Sequence, residues 1–260
     1  MKHDYLDSLF GLSGQTAIVV GGTGVLGGAL ADGLAAAGAF VVVAGRNAER
    51  GEARVSAIRE AGGEGCFLAV DAVERKSIEG LLSKTLDTRG RADILVNCAG
   101  VNSSIPYAEI PDDDWDRVLN TNLKSTHIGC QIFGGHMATA GGGAILNIGS
   151  VSADKPLSKV FAYSASKAAV VNYTQNVARE FATKDVRVNV LCPGFFPAEQ
   201  NRKILSAERI SQIMGQTPMD RFGNPDELIG AAILLCSRNA GSFITGTSIY
   251  VDGGFTGMRI

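Results

Sequence analysis

Short runs of apolar and β-branched residues recur along this chain at 16–20, 40–44, 66–70, 93–96, 144–148, 186–191 and 247–251. A strand with one wet face alternates apolar and polar residues. These runs are mostly continuous, so they predict strands buried on both faces. Between them lie stretches with helical spacing. Leu26, Leu30 and Leu34 recur as far as Gly38. Further helices are expected over 48–61, 75–88 and 113–138, over the segment carrying Tyr163, over 199–216, and after Pro225. Alternating strands and helices form a parallel sheet with helices on both sides. The expected architecture is α/β, a doubly wound parallel sheet in three layers. No linker or low-complexity tract divides the chain, so residues 1–260 read as a single domain. Residues 1–15 read as a polar lead-in.

Composition removes several function classes. With 45% hydrophobic and 19% charged residues, the 260-residue chain can bury a sizeable core. A net charge of −2 offers no broad cationic field to nucleic acid or to an anionic membrane. No apolar run reaches the roughly 18 residues that span a bilayer. The N-terminus lacks the apolar stretch of a signal peptide. Cys66, Cys98, Cys130, Cys192 and Cys236 are dispersed and odd in number, which predicts reduced thiols in a cytoplasmic protein. His3, His127 and His136 show no metal-ligand spacing, so no metal is expected.

Sheets of this kind bind ligands at the carboxyl ends of their strands. Gly21-Gly22-Thr23-Gly24-Val25-Leu26-Gly27 follows the first strand and opens the first helix of the alternating pattern. In that context Gly22-x-Gly24-x-x-Gly27 fits a dinucleotide pyrophosphate. The glycines permit a tight turn and bring backbone N–H groups to the phosphates. At the end of the second strand, an acidic residue would bind a ribose 2′-hydroxyl, whereas Arg suits a 2′-phosphate. The sequence there is Gly45-Arg46-Asn47, with a cation and no carboxylate. This points to NADP, with NAD as the alternative. Arg46 also fits a solvated residue at a helix start. Asp71, after the third strand, fits an acceptor for an adenine amino group, and equally a helix N-cap.

Ser150 follows the fifth run, and Tyr163 and Lys167 stand four residues apart beyond it. On a helix that spacing puts them on one face, one turn apart. An ammonium beside a phenol favours the phenolate and should lower the Tyr163 pKa. A hydroxyl, an acidic phenol and a cation together suit the movement of a proton on and off a carbonyl or alcohol oxygen. Alone, Tyr-x-x-x-Lys also fits a Ser/Ala-rich helix with an exposed Tyr and Lys. The strand-end features around it favour the chemical reading.

Taken together, these motifs resemble the short-chain dehydrogenase/reductase family in its compact single-domain branch, over nearly the whole chain. The resemblance implies a Rossmann-type sheet and NAD(P)-dependent oxidoreductase activity on a small-molecule substrate. Asn97-Cys98-Ala99-Gly100 looks like the family's Asn-Asn-Ala-Gly, with Cys98 substituted, and implies that Asn97, Ala99 and Gly100 lie beside the cofactor. Asn122 in Asn120-Thr-Asn-Leu123 matches the Asn that bends a helix and sustains a proton relay to the Lys. Ser150, Tyr163 and Lys167 match the rest of the catalytic tetrad, with Tyr163 and Lys167 also touching cofactor. Pro193, Gly194 and Phe196 match the turn flanking the nicotinamide. Two departures stand out. Val20 and Val25 replace the Thr and the middle Gly of the family's loop, and Ala198 replaces a Thr after the Pro-Gly turn.

The family also implies a substrate lid over about 195–216. Its Glu199, Gln200, Asn201 and Arg202 are polar, which resembles the family's keto-sugar-acid reductases. Asn102, Ser150, Gln200 and Arg202 are the candidate substrate contacts. An amphipathic solvated helix fits the same residues. The alternatives to a polar sugar or sugar acid are an NAD(H)-dependent dehydrogenase of a less polar compound, such as a 3-oxoacyl substrate, and a non-catalytic dinucleotide sensor. Family analogy implies a homotetramer.

Overall fold

The computed structural model describes residues 2–196 and 206–257. The elements run α1 (Lys2–Phe10), β1 (Thr16–Val20), α2 (Val25–Ala36), β2 (Phe40–Gly45), α3 (Ala48–Glu60), β3 (Glu64–Ala69), α4 (Arg75–Arg89) and β4 (Ile94–Asn97). After a long loop come α5 (Asp112–Leu119), a π-helical turn (Asn120–Lys124), α6 (Ser125–Met137), β5 (Gly143–Ile148), α7 (Phe161–Phe181) and β6 (Val186–Pro193). The described chain then resumes with α8 (Ala207–Gly215), α9 (Ile229–Cys236) and β7 (Ser248–Val251).

All seven strands join one parallel sheet in the order β3-β2-β1-β4-β5-β6-β7. Successive residues of a strand point to opposite faces, and the core divides accordingly. Ala17, Val19, Val41, Val43, Ile94 and Val96 pack with Leu30 and Leu34 of α2, Val55 and Ile58 of α3, and Leu235 of α9. Ile18, Val20, Val42, Leu95 and Ile145 pack with Ile78 of α4, Ile128 and Phe133 of α6, and Val177 of α7. This two-sided burial is why the runs lack polar alternation, and it gives the three layers that the runs implied.

The chain order reverses direction at β1, which has β2 on one side and β4 on the other. Loops leaving β1 and β4 therefore diverge to opposite faces and leave a crevice at their carboxyl ends. Gly21 sits at this point with φ +90°, where a Cβ would lie 2.7 Å from the backbone of Cys98 and Ala99. Glycine is required there both for conformation and for space.

A polar thread runs through the sheet beside the crevice. Asn97 Nδ2 donates to Asn147 Oδ1 at 2.9 Å, and Asn147 Nδ2 donates to Thr174 Oγ1 at 2.9 Å. Thr174 in turn donates to the Val170 carbonyl. The three side chains tie β4, β5 and α7 together without leaving a buried amide donor unpaired.

Two elements depart from the sequence reading. The expected polar lead-in contains helix α1. Its Tyr5, Leu6 and Phe10 recur at helical spacing but are exposed rather than packed on the core. It is held instead by hydrogen bonds, from Ser237 Oγ and the Ala240 amide to the Leu9 carbonyl. The long helix over 113–138 is present but interrupted by the π turn, which places Asn122 fully buried at its centre.

Replacing Asn147 with Ala takes from the buried Asn97 amide its acceptor at 2.9 Å and leaves it only the Cys130 sulfur at 3.5 Å. We expect a loss of about 2 kcal/mol or more in unfolding free energy, since each unpaired buried polar group costs about 1–3 kcal/mol. Urea denaturation of the Asn147→Ala variant measures it. An unchanged midpoint would mean that the thread contributes nothing.

Candidate active site

Ser150 leaves the end of β5 in an extended conformation. Its Oγ accepts from the Ser152 amide and from Ser152 Oγ, each at 3.1 Å. With its lone pairs so engaged, its one proton is left to donate, and the hydroxyl is close enough to the Tyr163 phenol to oppose the rise in its pKa. Ser152 was absent from the sequence reading. Its signal was the second hydroxyl in Ser150-Val-Ser152, a spacing that favours a side chain bonding to the backbone two residues on.

Tyr163 and Lys167 lie on the first turns of α7, with the Lys167 ammonium 5.6 Å from the centre of the Tyr163 ring. Lys167 is buried and donates to the Ile148 carbonyl at 2.7 Å. Asn122 Oδ1 accepts from the Val101 amide at 2.8 Å, and its Nδ2 donates to the Val101 carbonyl at 3.0 Å and to Ser166 Oγ at 2.9 Å. Ser166 donates back to the Tyr163 carbonyl at 2.7 Å. The π turn thus brings Asn122 to the loop after β4 and to the helix carrying the tyrosine. Gly100 completes the enclosure, since a Cβ there would sit 3.3 Å from Asn122 Oδ1 and 3.7 Å from Lys167 Nζ.

The electrostatics differ from the sequence expectation in one respect. Burial pushes the Tyr163 phenol above its ordinary value, opposed by the Ser150 hydrogen bond. The lowering expected from Lys167 does not dominate. Burial strips water from the phenol, and the ammonium lies over the ring, 5.6 Å from its centre. Burial also brings Lys167 down from 10.5 to about 8. Both groups are therefore held away from their charged forms by the same enclosure.

At the neighbouring strand ends, the glycine loop forms a compact cradle. A Cβ on Gly27 would lie 2.3 Å from the Gly21 carbonyl oxygen. Gly24 caps α2 with extended backbone, and Val25 is the exposed first residue of the helix. Val25 has no positive φ, so the family's glycine is not required there by conformation. The free N–H groups of the first turn of α2 face the crevice end and fit a pyrophosphate. Thr23 leans over Gly45, where a Cβ would meet its hydroxyl at 2.7 Å. Arg46, next in the chain, is exposed and makes no hydrogen bond or ion pair with the described residues. This donor set fits NADP(H).

Three candidate cofactor residues are otherwise engaged. Asn47 Oδ1 accepts from the Arg50 amide at 2.8 Å, so it caps α3. Asp71 Oδ1 accepts from the Val73 amide at 3.2 Å in a tight local turn, while Glu74, not Asp71, occupies the cap position of α4. The Asn97 side chain is turned into the core. Short polar side chains near a strand end bond to adjacent backbone before they reach a ligand, which sequence alone does not reveal.

Pro193 ends β6. The Gly194 amide donates to the Val251 carbonyl at 2.9 Å, and a Cβ on Gly194 would lie 2.7 Å from Asp252 Cα. The Phe196 ring lies against Gly223, so it packs under the segment before α9 rather than standing free. A cavity of about 330 Å³ opens between Phe195, Phe196, Met219 and Tyr250. Asn102 is exposed on the loop after β4, its Oδ1 accepting from the Ser103 amide at 2.7 Å. Gln200, Arg202 and Ala198 lie outside the described residues. The adjoining α8 lies within the helix expected over 199–216; its Arg209, not singled out by sequence, reaches Ser158, ahead of α7, at 3.1 Å.

Comparison with known proteins agrees with this geometry. Residues 23–256 match the family model described as enoyl-(acyl carrier protein) reductase. The chain is 38% identical to an uncharacterized oxidoreductase, UxuB, of Bacillus subtilis (strain 168), covering 94% of this chain and 95% of that protein. It is 36% identical to gluconate 5-dehydrogenase of Gluconobacter oxydans (strain 621H), covering 95% and 97%. The solved gluconate 5-dehydrogenase of Burkholderia cenocepacia, in complex with NADP and tartrate, superposes with a TM-score of 0.93 at 32% identity, covering 98% of this chain and all of that one. The chain belongs to the short-chain dehydrogenase/reductase family and is an oxidoreductase of Rossmann-type fold. Among the described residues no helix is long and apolar enough to cross a membrane.

The buried ammonium carries a stability consequence. A lysine whose folded pKa is about 8 and whose ordinary value is 10.5 binds its proton less tightly when folded. The folded state is therefore penalised in full below pH 8, and the penalty fades as pH rises toward 10.5. We expect Lys167→Met to unfold at a higher temperature than wild type at pH 7, with the gap narrowing as pH is raised. A gap independent of pH would show that Lys167 is not held off its charge.

Proposed function

We propose that this protein transfers a hydride between NADP(H) and a small polar hydroxy or keto compound, most specifically a sugar acid of the gluconate/ketogluconate kind. One observation carries the reading: Tyr163 and the buried Lys167 share one face of α7 beside Ser150 at the end of β5, with the Lys167 ammonium 5.6 Å from the Tyr163 ring centre and donating to the Ile148 carbonyl. Two further observations support the finer assignment. Arg46 is free at the end of β2, and relatives named for gluconate oxidation align over nearly the whole chain.

The glycine loop, Thr23 and Arg46 would hold the dinucleotide, with Arg46 forked onto the 2′-phosphate, and Ala99, Gly100, Pro193 and Gly194 would border its nicotinamide end. Bound NADP(H) supplies the hydride. The chain's own part is the proton and the charge. During reduction Tyr163 donates its proton to the oxygen of the substrate. Ser150 hydrogen-bonds the same oxygen and stabilises its developing charge. Lys167, once protonated, offsets the phenolate that Tyr163 becomes, and Asn122 holds the helix and loop between which the proton is replaced. Gln200 and Arg202 of the lid segment would meet the substrate's hydroxyls and carboxylate, with Asn102 at the opposite rim. The five free thiols support a reducing, cytoplasmic setting, and a homotetramer follows from family analogy.

Tyr163→Phe removes the proton and leaves the ring. Turnover should fall about 10²–10⁴-fold, while NADPH binding, read by fluorescence, stays at the wild-type level. The substrate is tested by a panel that sets 5-keto-D-gluconate and other keto sugar acids beside hydrophobic ketones and 3-oxoacyl thioesters, each with NADPH. Reduction confined to the hydrophobic members would overturn the sugar-acid assignment.

A separate titration addresses the cofactor. Loss of one charge-assisted contact in Arg46→Ala should weaken NADPH about ten-fold and leave NADH binding unchanged. Tighter binding of NADH by the wild type would remove the NADP preference.

A further inference from the structure

Helix α8 bridges the two walls between which a substrate reaches Tyr163. Thr217, two residues past its end, borders the cavity beside Phe195 and Phe196, just beyond the Pro193-Gly194 turn. Its first turn is tied to the other wall. There Arg209 Nη1 donates to Ser158 Oγ at 3.1 Å, and Ser158 lies in the loop that runs from Ser150 to Tyr163. The nine residues between these anchors cover about 13 Å of helix.

Arg209, Ile213 and Thr217 stand four residues apart and form one stripe of this segment. Ile213 and Thr217 are buried, and Thr217 Oγ1 donates to the Ile213 carbonyl. The stripe therefore faces inward. Arg209 is half-buried on it, whereas Glu208, Ser211 and Gln212 are exposed. A cation in the first turn works against the helix dipole, which favours anions there. No carboxylate among the described residues lies within ion-pair distance of Arg209. The adjacent Glu208 instead accepts from Gln212 Nε2 at 3.4 Å. The acceptors of Arg209 are neutral, Ser158 Oγ and, at 3.4 Å, Gln212 Oε1, and both lie on Nη1. The Nε and Nη2 edge has no acceptor among the described residues. Ser158 is itself held in place. The next residue, Lys159, takes φ +64° with its carbonyl accepting from the Ile105 amide at 3.1 Å. A non-glycine residue keeps that conformation only where its surroundings determine it.

We infer that Arg209 is a specificity-determining residue, whose Nε–Nη2 edge forks onto the carboxylate of the substrate while the reacting carbonyl lies at Ser150 and Tyr163. A planar guanidinium edge matches a carboxylate with two parallel hydrogen bonds. Pinning at Nη1 leaves less of the side chain to be ordered on binding. The inference rests on the reading of the substrate as a sugar acid.

The test uses the full chain, NADPH and a pair of compounds. One is the keto sugar acid of the panel that the wild type reduces fastest. The other is the same compound with a hydroxymethyl group in place of the carboxylate, which for 5-keto-D-gluconate is L-sorbose. Arg209→Ala should raise KM for the acid about thirty-fold, the scale of a hydrogen bond to a charged group. Its kcat should stay within about two-fold, because the contact is the same before and during reaction. NADPH affinity and kcat/KM for the neutral compound should not change. Arg209→Lys keeps the charge without the fork and should fall between Arg209→Ala and wild type. Ser158→Ala frees Nη1 and should raise KM about three-fold, for the acid alone. Added salt should raise KM for the acid more steeply in the wild type than in Arg209→Ala.

An unchanged KM for the acid in Arg209→Ala would overturn the inference and leave the sugar-acid reading intact. So would an equal rise for the acid and its neutral counterpart, or a loss confined to kcat, since either marks a structural role. A wild type that reduces only uncharged compounds would remove the sugar-acid reading and the inference with it. Thermal unfolding and NADPH titration of each variant identify any loss caused by misfolding. If Arg209→Ala proves unstable, Arg209→Lys and Ser158→Ala decide: no selective rise in KM for the acid in either would overturn the assignment.

Discussion

The site depends on the close approach of Gly21 to the backbone of Cys98 and Ala99. A parallel sheet brings all its carboxyl ends to one edge, and the crevice opens where β1 meets β4. Any side chain at Gly21 would push the loop after β1 off the loop after β4. The first of these loops carries the pyrophosphate cradle. The second carries Gly100, packed against Asn122 and Lys167. One backbone contact therefore registers the cofactor end of the site against its proton-transfer end.

Holding that geometry costs stability. Lys167 is stripped of water and answered by a carbonyl rather than a carboxylate. Tyr163 is half-buried, and desolvation moves its pKa away from ionisation. A core designed for stability alone would place apolar residues at both positions. Neighbouring amides are paired: Asn122 bonds Val101 and Ser166, Asn97 donates to Asn147, and Asn147 to Thr174. The π turn is part of the same arrangement, since it sets Asn122 facing both the loop after β4 and α7.

The departures from the family's sequence pattern at Val20, Val25 and Cys98 have physical explanations. Val20 is buried on the α4/α6 face of the sheet, in the same cluster as Val42 and Leu95, so an apolar side chain suits it. Val25 begins α2 with ordinary backbone and an exposed side chain, while Gly24 before it takes the extended cap conformation. Cys98 packs its side chain on the α2 side of the sheet. Its thiol is pushed up to about 11 by burial and adds no charge beside Lys167.

The sequence by itself determined the alternation of elements, the burial of the strands on both faces, and which residues lie at strand ends. These are local or one-dimensional properties: periodicity, run length and glycine placement. It also determined that Tyr163 and Lys167 share a helix face, because helical spacing imposes it. Only the tertiary structure decided what each polar side chain does once neighbours compete for it. Asn47 and Asp71 turned to adjacent backbone, Asn97 to the core, and Ser152 to Ser150. The sign of the Tyr163 shift belongs to the same class. A charge four residues away is visible in the sequence, but the loss of water that outweighs it depends on every element that closes over the site.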